Sequence, residues 1–235
     1  MTVKVSFQNA WSGKADCMNC SVRGSALFSG LTEDDFQQLH QPIDQLTINA
    51  GQSLYKMGNA GSHLFTVRSG LVKLVQYLPD GSQRIVRLAC SSDLLGLEVM
   101  VNDCYEHEAI ALRETQLCRL PVEAINFLSK GNPVLHKDLM ARWQKALTEA
   151  DAWLTELSTG SAKKRMAYLL LRLLENGKDD ICILFSREDM GSILSMTTET
   201  ASRTISEFKR LGLMTDTSHN HFKLNVEGLE ALVAS

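Results

Sequence analysis

One helical stretch near the C-terminus constrains the fold of this 235-residue chain more than any other segment. Residues 197–212 read TTETASRTISEFKRLG, and Ala201, Ile205 and Phe208 recur at the spacing of one apolar helix face. The opposite face carries Glu199, Ser202, Arg203, Ser206 and Lys209. Ser and Thr are weak helix formers that cost stability unless they serve a purpose. The pattern therefore favours an outer face that reads a partner over a merely solvated face.

The flanking segments predict a second helix before this one and a hairpin after it. Ser186 and Asp189 form an S-x-x-D helix start, and Gly191 would permit close helix approach. The inward residues of that helix are expected to be Met190, Ile193 and Leu194. Gly212 is a helix C-cap signal, and residues 213–224 read as a two-stranded wing. Two helices joined by a tight turn and followed by a wing predict a winged helix-turn-helix.

The second helix of such a motif lies in the major groove, with its N-terminal residues on base edges. Glu199 can accept a hydrogen bond from cytosine N4, and Arg203 can donate two to guanine O6 and N7. Ser202 can serve either kind of base. The predicted DNA-binding set also includes residues at the helix starts and at the helix end, some of them suited to phosphates: Ser186, Arg187, Thr197, Thr198, Thr200 and Lys209.

Residues 45–120 predict strands rather than helices. Short β-prone runs alternate with recurring glycines, and the triplet Pro79-Asp80-Gly81 indicates a hairpin turn. Regular turns between short strands favour a small all-β barrel or roll.

Residues 133–158 change character and predict a long helix that Pro133 can open. A 4-3-4-3 apolar spacing is typical of a coiled-coil seam, and we expect a dimer interface at Trp143, Leu147, Ala150, Leu154 and Leu157. Leu139, Ala146 and Trp153 widen the stripe. A helix packed on its own domain is the alternative. The predicted domains are a sensor at 1–132, a dimerisation helix at 133–160 and a DNA-binding domain at 161–235.

The composition is compatible with this domain organisation but does not by itself indicate DNA binding. The net charge is −3, and residues 161–235 hold ten basic and ten acidic side chains, so DNA affinity must come from local placement of charge. The N-terminal 16 residues lack the apolar core of a signal peptide, and no apolar run is long enough for a membrane span. Six scattered cysteines do not make a disulfide scaffold. We expect a cytoplasmic protein without a membrane partner.

The order of β-roll, long helix and winged helix resembles the CRP/FNR family, the transcription factors typified by the cyclic-AMP receptor protein and the fumarate–nitrate reduction regulator. The likeness is strongest in residues 67–74, 91–100 and 197–214, where TTETASRTISEFKRLGLM matches the E-T-x-S-R recognition helix. The resemblance implies an α+β fold with a cyclic-nucleotide-binding-like β-roll. It also implies a homodimer on double-stranded DNA that works with RNA polymerase. Glu199, Ser202 and Arg203 match the fumarate–nitrate branch, which prefers inverted TTGAT half-sites, whereas Thr198 replaces the additional arginine of the cyclic-AMP branch.

The resemblance also bears on the effector. Nucleotide-binding relatives carry Gly-Glu-Leu and then Arg-Ser, but here Leu97 follows Gly96 and the Arg-Ser positions fall on His107 and Glu108. A carboxylate would repel the cyclic phosphate, which argues against cyclic AMP. The oxygen-sensing branch binds an iron–sulfur cluster, and Cys17, Cys20 and Cys118 match three of its ligands. The third N-terminal cysteine of the family is replaced by Ala26 or Phe28.

Several readings of the cysteines stay open. An unconventional fourth cluster ligand could come from Cys104, Cys90, Asp16 or His107. Cys17-x-x-Cys20 with Cys104-x-x-His107 also has zinc-like spacing, and a reversible disulfide between Cys17 and Cys20 is a further option. The cysteines could instead be inert, with haem, an organic molecule or nothing bound in the β-roll.

The predicted function is a sequence-specific regulator that senses a redox, gas or small-molecule signal in its N-terminal domain. The alternative is a non-catalytic ligand-binding or interaction module without specific DNA binding. No P-loop, G-x-S-x-G or H-E-x-x-H motif is present, so we expect no enzyme.

Overall fold

The computed structural model describes residues 3–5, 27, 43–81, 83–174, 180–218 and 220–234. By its contacts the chain divides into a unit of Met1–Gln76 with Arg87–Leu147 and a unit of Tyr77–Val86 with Thr148–Ser235. This division falls inside the long helix. The predicted domain borders after residues 132 and 160 remain predictions.

The N-terminal part is built from antiparallel strands arranged in two sheets. The strands are β1 Val3–Val5, β2 Ile43–Ile48, β3 Ser53–Tyr55, β4 His63–Ser69, β5 Val72–Tyr77, β6 Gln83–Ala89, β7 Leu94–Leu95, β8 Glu108–Ala111 and β9 Thr115–Pro121. One sheet has the order β1-β2-β9-β4-β7 and the other β3-β8-β5-β6. Leu64, Val72 and Leu117 are fully buried, so apolar residues of both sheets supply the core. The expected hairpin is confirmed, with Gly81 at φ 82° between β5 and β6.

Three helical elements accompany this domain. A 3-10 helix spans Leu97–Met100, α1 spans Val122–Gly131 and α2 spans Pro133–Ala152. The long helix begins at Pro133 as expected, and the Asn132 side chain caps it by accepting from the backbone N–H groups of Val134 and Leu135 at 3.0 and 3.1 Å. No helix was expected at residues 122–131.

A π-helical turn at Trp153–Leu157 follows α2. Because of this turn, the prediction that Leu157 belongs to the dimer seam was wrong. An inserted π turn adds a residue to one turn, so the side chains beyond it rotate away from the earlier stripe. Leu157 is 0% exposed, and it therefore packs within its own unit instead of facing a partner. Trp153 and Leu139, which were expected to widen the stripe, are also buried.

The C-terminal part is the expected winged helix-turn-helix. Its elements are α3 Ala162–Leu174, β10 Ile181–Ile183, α4 Arg187–Leu194, α5 Thr198–Arg210, β11 Met214–Ser218, β12 His221–Leu224 and α6 Val226–Ala234. The strands form one antiparallel sheet in the order β10-β12-β11. Met166, Leu169, Met190 and Leu194 are fully buried, so α3 and α4 both contribute to its core. None of the helices in the described ranges is long and apolar enough to cross a bilayer.

Candidate nucleic-acid interface

Helix α5 is fixed at both ends and along its inner face. Thr197 is the N-cap, and its hydroxyl accepts from the Thr200 N–H at 3.2 Å. Ala201, Ile205 and Phe208 are at most 2% exposed, as the spacing predicted. Gly212 follows the helix at φ 70°, a left-handed conformation that glycine adopts without strain. The polar face of α5 is therefore presented on a rigid support.

The turn between α4 and α5 sets the angle of the two helices. Ser195 adopts the left-handed conformation at φ 51°, and the Met196 N–H donates to the Gly191 carbonyl at 2.9 Å. A Cβ added to Gly191 would lie 2.6 Å from the Met196 carbonyl oxygen. The predicted close approach at Gly191 is therefore confirmed, and it brings the start of α5 against α4.

A stripe of four exposed polar residues runs along the outer face of α5. Its members, called the α5 stripe below, are Glu199, Arg203, Ser206 and Arg210. Arg203 and Glu199 pair at 3.4 Å, but their side chains are 73% and 77% exposed. An exposed pair of this kind is worth at most about 1 kcal/mol. Either side chain can therefore turn to a base edge at little cost.

Two positions qualify the predicted set of DNA contacts on α5. Ser202 is half-buried at the edge of the stripe, while Arg210, which is 77% exposed, was left out of that set. The signal for Arg210 was present in the sequence, because residues 199, 203, 206 and 210 follow the 4-3-4 spacing of one helix face.

Several other residues of the predicted DNA-binding set form hydrogen bonds within the chain. The Ser186 hydroxyl accepts from the Asp189 N–H at 3.0 Å and donates to the Asp189 carboxylate at 2.8 Å, so it caps α4 as predicted. Arg187 is half-buried and donates to the Met190 sulfur at 3.5 Å. Lys209 donates to Asp216 at 2.8 Å. Thr197 and Thr200 share a hydroxyl contact of 2.9 Å at the start of α5, beside Thr198, which is exposed. Roles of these residues on phosphates remain predictions.

The β-roll holds a polar cluster at Glu98 and His107. The Glu98 carboxylate lies 3.9 Å from His107 Nδ1, and Glu108 is buried at the start of β8. Burial is the largest influence on the pKa of Glu98 and raises it, but His107 and nearby backbone groups together lower it by more, which leaves that pKa below its ordinary value. Tyr55 stacks on Tyr105 at 3.9 Å, and burial together with the charge of Glu98 raises the pKa of Tyr55 well above its ordinary value. The absence of cyclic AMP as an effector remains a prediction.

The cysteine hypothesis is only partly within the described residues. Cys17, Cys20 and Asp16 lie outside them, as do Ala26 and Phe28. Cys118 is half-buried on β9, level with Thr66 of β4. Cys90 is buried after β6, and Cys104 is exposed. Within the described ranges, no three His, Cys, Asp or Glu side chains are grouped so that they could hold a metal ion. A metal site with three such ligands would therefore need at least one residue outside the described ranges.

The fold and the α5 stripe together define a DNA-binding protein of the winged helix-turn-helix class that carries a β-roll. Comparison with known families agrees with this class. Residues 45–132 match the cyclic nucleotide-binding domain, and residues 164–232 match the Crp-like helix-turn-helix domain.

Similar proteins match most of the length of the chain. The chain is 27% identical over 208 residues to the transcriptional activator protein anr of Pseudomonas aeruginosa, covering 86% of this chain and 85% of that protein. It is 25% identical over 205 residues to the fumarate and nitrate reduction regulatory protein of Escherichia coli, covering 84% and 82%. Among solved structures, FixK2 from Bradyrhizobium japonicum aligns with a TM-score of 0.76 at 22% identity, over 82% of this chain and 98% of that one.

The chain belongs to the CRP/FNR family of transcription regulators. The predicted family and fold class are confirmed. Its relatives are regulators and not enzymes, which confirms the expectation that this chain is not an enzyme.

Proposed function

We propose that the protein is a homodimer that binds an inverted repeat with TTGAT-like half-sites and regulates transcription there. The observation that carries the proposal is the α5 stripe. Glu199 and Arg203 project from the first two turns of a helix whose other face is buried. These are the turns that contact base edges in a helix-turn-helix. An acceptor for cytosine N4 beside a bidentate donor for guanine suits a mixed half-site.

The apolar face of α2 supports the homodimer. Five positions repeat at 3-4-3-4 spacing and are exposed or half-buried in the single chain, namely Met140, Trp143, Leu147, Ala150 and Leu154. Exposed fractions of 50%, 58% and 65% at Met140, Leu147 and Leu154 leave apolar side chains uncovered over about four turns. A second copy of the same helix would bury it, which is the usual solution for such a seam. Met140 extends the predicted seam at its N-terminal end.

The base-reading role is tested with Arg203→Ala. We expect the variant to lose preference for a TTGAT inverted repeat over a scrambled duplex while keeping weak, salt-dependent binding. One bidentate contact supplies about 1–3 kcal/mol of discrimination, so the ratio of the two affinities should fall roughly 5- to 150-fold per half-site. Fluorescence anisotropy on both duplexes at one fixed salt concentration measures the ratio.

Lys130→Ala is the matched control, because it removes one exposed positive charge from α1 of the other unit. The control should keep the parent ratio. If Arg203→Ala also keeps the parent ratio, Arg203 does not read bases.

The signal is proposed to be a redox, gas or small-molecule stimulus received in the N-terminal domain. Cys118 would supply one thiolate to an iron–sulfur cluster, and Cys17 and Cys20 would supply two more. That donor set is one short of the usual four cysteines. A cluster with an unconventional fourth ligand, haem, an organic effector and an effector-free β-roll are therefore separate outcomes of one experiment.

That experiment uses protein made and kept anaerobic. Iron and acid-labile sulfide that bleach in air and are lost in Cys20→Ser would support the cluster. Neither element above background would end the cluster hypothesis. Zinc near one per chain would support the structural-metal reading, and a Soret band would place haem in the protein.

RNA polymerase is the proposed partner at the promoter, by analogy with the family. The cytoplasm is the proposed location, because a bacterial-type regulator must reach chromosomal DNA.

A further inference from the structure

Lys209 differs from the other cations of α5 in where its charge lies. Its Nζ donates to Asp216 Oδ1 of the wing strand β11 at 2.8 Å and stands 4.8 Å above the ring centroid of Phe222 on β12. Phe222 is 3% exposed, so it forms a fixed platform. The Lys209 side chain is 36% exposed, compared with 73% for Arg203 and 77% for Arg210. Lys209 is thus tied to the wing.

Asp216 is an unexpected residue for this surface. Among the described wing residues 214–218 and 220–224 it is the one acid, and its side chain is 62% exposed. A carboxylate close to DNA repels phosphates and weakens binding, so its presence calls for a compensating role.

The surroundings of Asp216 supply that role. Lys209 of α5 donates to the Asp216 carboxylate. The charge of that carboxylate also acts on Arg187, the first residue of α4. Burial lowers the pKa of Arg187, and the charge of Asp216 acts in the opposite direction. The wing carboxylate therefore pairs directly with a cation of α5 and acts electrostatically on a cation of α4.

We propose that Asp216 and Lys209 are positioning residues that fix the recognition helix against the wing, and that Lys209 is not a phosphate contact. The inference rests on the proposed base reading by α5 and goes beyond it, since it assigns specificity to a pair that touches no base. Reading groups must be held within about 0.5 Å of their productive geometry by supporting contacts. Lys209 lies two turns after Ser202 on the same helix, so holding it to the wing limits rotation and sliding of α5 in the groove.

The test compares Lys209→Met, Asp216→Asn and Asp216→Glu with the parent on operator and scrambled duplexes across a salt series. Methionine keeps an unbranched apolar chain over Phe222 and removes the charge. We expect Lys209→Met and Asp216→Asn to reduce the operator-to-scrambled affinity ratio by about three- to tenfold. Lys209→Met should leave the slope of log affinity against log salt unchanged, and Asp216→Glu should retain the parent ratio. Thermal unfolding confirms that each variant is folded.

Two results would overturn the inference. A slope that becomes shallower by about 0.9 per half-site in Lys209→Met, with the ratio unchanged, would make Lys209 a phosphate contact. An unchanged ratio in Asp216→Asn would remove its positioning role. A parent protein that binds both duplexes equally would instead refute the proposed base reading, and this inference with it, before any variant is compared.

Discussion

Helices α2 and α5 show the same amphipathic periodicity but use it in opposite ways. In α5, the apolar residues Ala201, Ile205 and Phe208 are buried in their own domain, and the face left outside is polar. In α2, the buried residues are Leu135 and Leu139, while Leu147, on a second apolar face, remains 58% exposed.

The difference lies in the chemistry of the outward face. A polar face with a donor and an acceptor on successive turns can exchange water for the hydrogen bonds of a base edge. An exposed apolar face offers no such exchange and is stabilised only when another apolar surface covers it. Nucleic acid is therefore the partner expected for α5, and a second copy of the chain the partner expected for α2.

The largest effect is expected from Ala150→Glu, which places a charge within the α2 seam. In a symmetric dimer the new carboxylate would lie beside its own symmetry mate without a counter-charge. We expect monomers in light scattering. Loss of the second half-site should weaken operator affinity by a factor on the order of 10²–10⁴.

Thr148→Glu is the matched control, since residue 148 is exposed and lies off the 3-4-3-4 stripe. It should remain dimeric. An unchanged dimer in Ala150→Glu would show that α2 is not the interface. The contrast drawn between α2 and α5 would then no longer hold for α2.

Two leucine-to-alanine substitutions distinguish a leucine buried within the chain from a leucine on the proposed dimer seam. Leu157→Ala should reduce the free energy of unfolding by about 2–5 kcal/mol, because Leu157 is 0% exposed in the single chain. Leu154→Ala should weaken dimerisation and leave the unfolding of the isolated subunit nearly unchanged, since Leu154 is 65% exposed. Urea unfolding at several protein concentrations distinguishes the two, and identical behaviour of the pair would contradict the π-turn correction.

The sequence predicted the positions of the helices better than the irregular backbone and the side-chain links that modify them. Periodicity placed α2, α4 and α5 and the buried face of α5, because each depends on local spacing. The π turn that moves Leu157 off the seam is a local change in hydrogen bonding that the apolar spacing does not reveal. Lys209 was predicted on DNA because its helix position allowed it, and its link to Asp216 depends on how the wing folds back. The iron–sulfur interpretation of the N-terminal cysteines, by contrast, came only from family resemblance, whereas their C-x-x-C spacing left several alternatives open.

A smaller effect on the support of α5 is expected from Gly191→Ala. The added Cβ would meet the Met196 carbonyl at 2.6 Å, so α4 and the turn must move apart. Overpacking of this kind costs about 1–3 kcal/mol in the free energy of unfolding, and operator affinity should fall as the turn shifts. Gly131→Ala, where the same Cβ would meet nothing within 4 Å, is the control and should be close to neutral. Equal stability of the two variants would contradict the close approach.

The smallest effect concerns a polar side chain in the β-roll and extends the comparison to a third region. Burial and then Arg119 lower the pKa of His63 below its ordinary 6.5, while Asp44 acts in the opposite direction. The unfolded chain therefore binds this proton more readily, and stability should decline as pH falls from about 6.5 toward the lower folded pKa. His63→Gln should flatten that part of the curve in urea unfolding. A slope that is unchanged in His63→Gln would assign the pH dependence to other groups.

The central claim is that two α5 stripes read DNA together because two α2 seams hold them one helical turn apart. Its most direct test is the affinity of the protein for an inverted TTGAT repeat with half-site centres about 10 base pairs apart, compared with the same repeat carrying five inserted base pairs. The insertion turns one half-site to the opposite side of the duplex. We predict tight binding of two chains to the first duplex and a loss of affinity on the order of 10² or more on the second. Equal affinity for both duplexes would contradict the account.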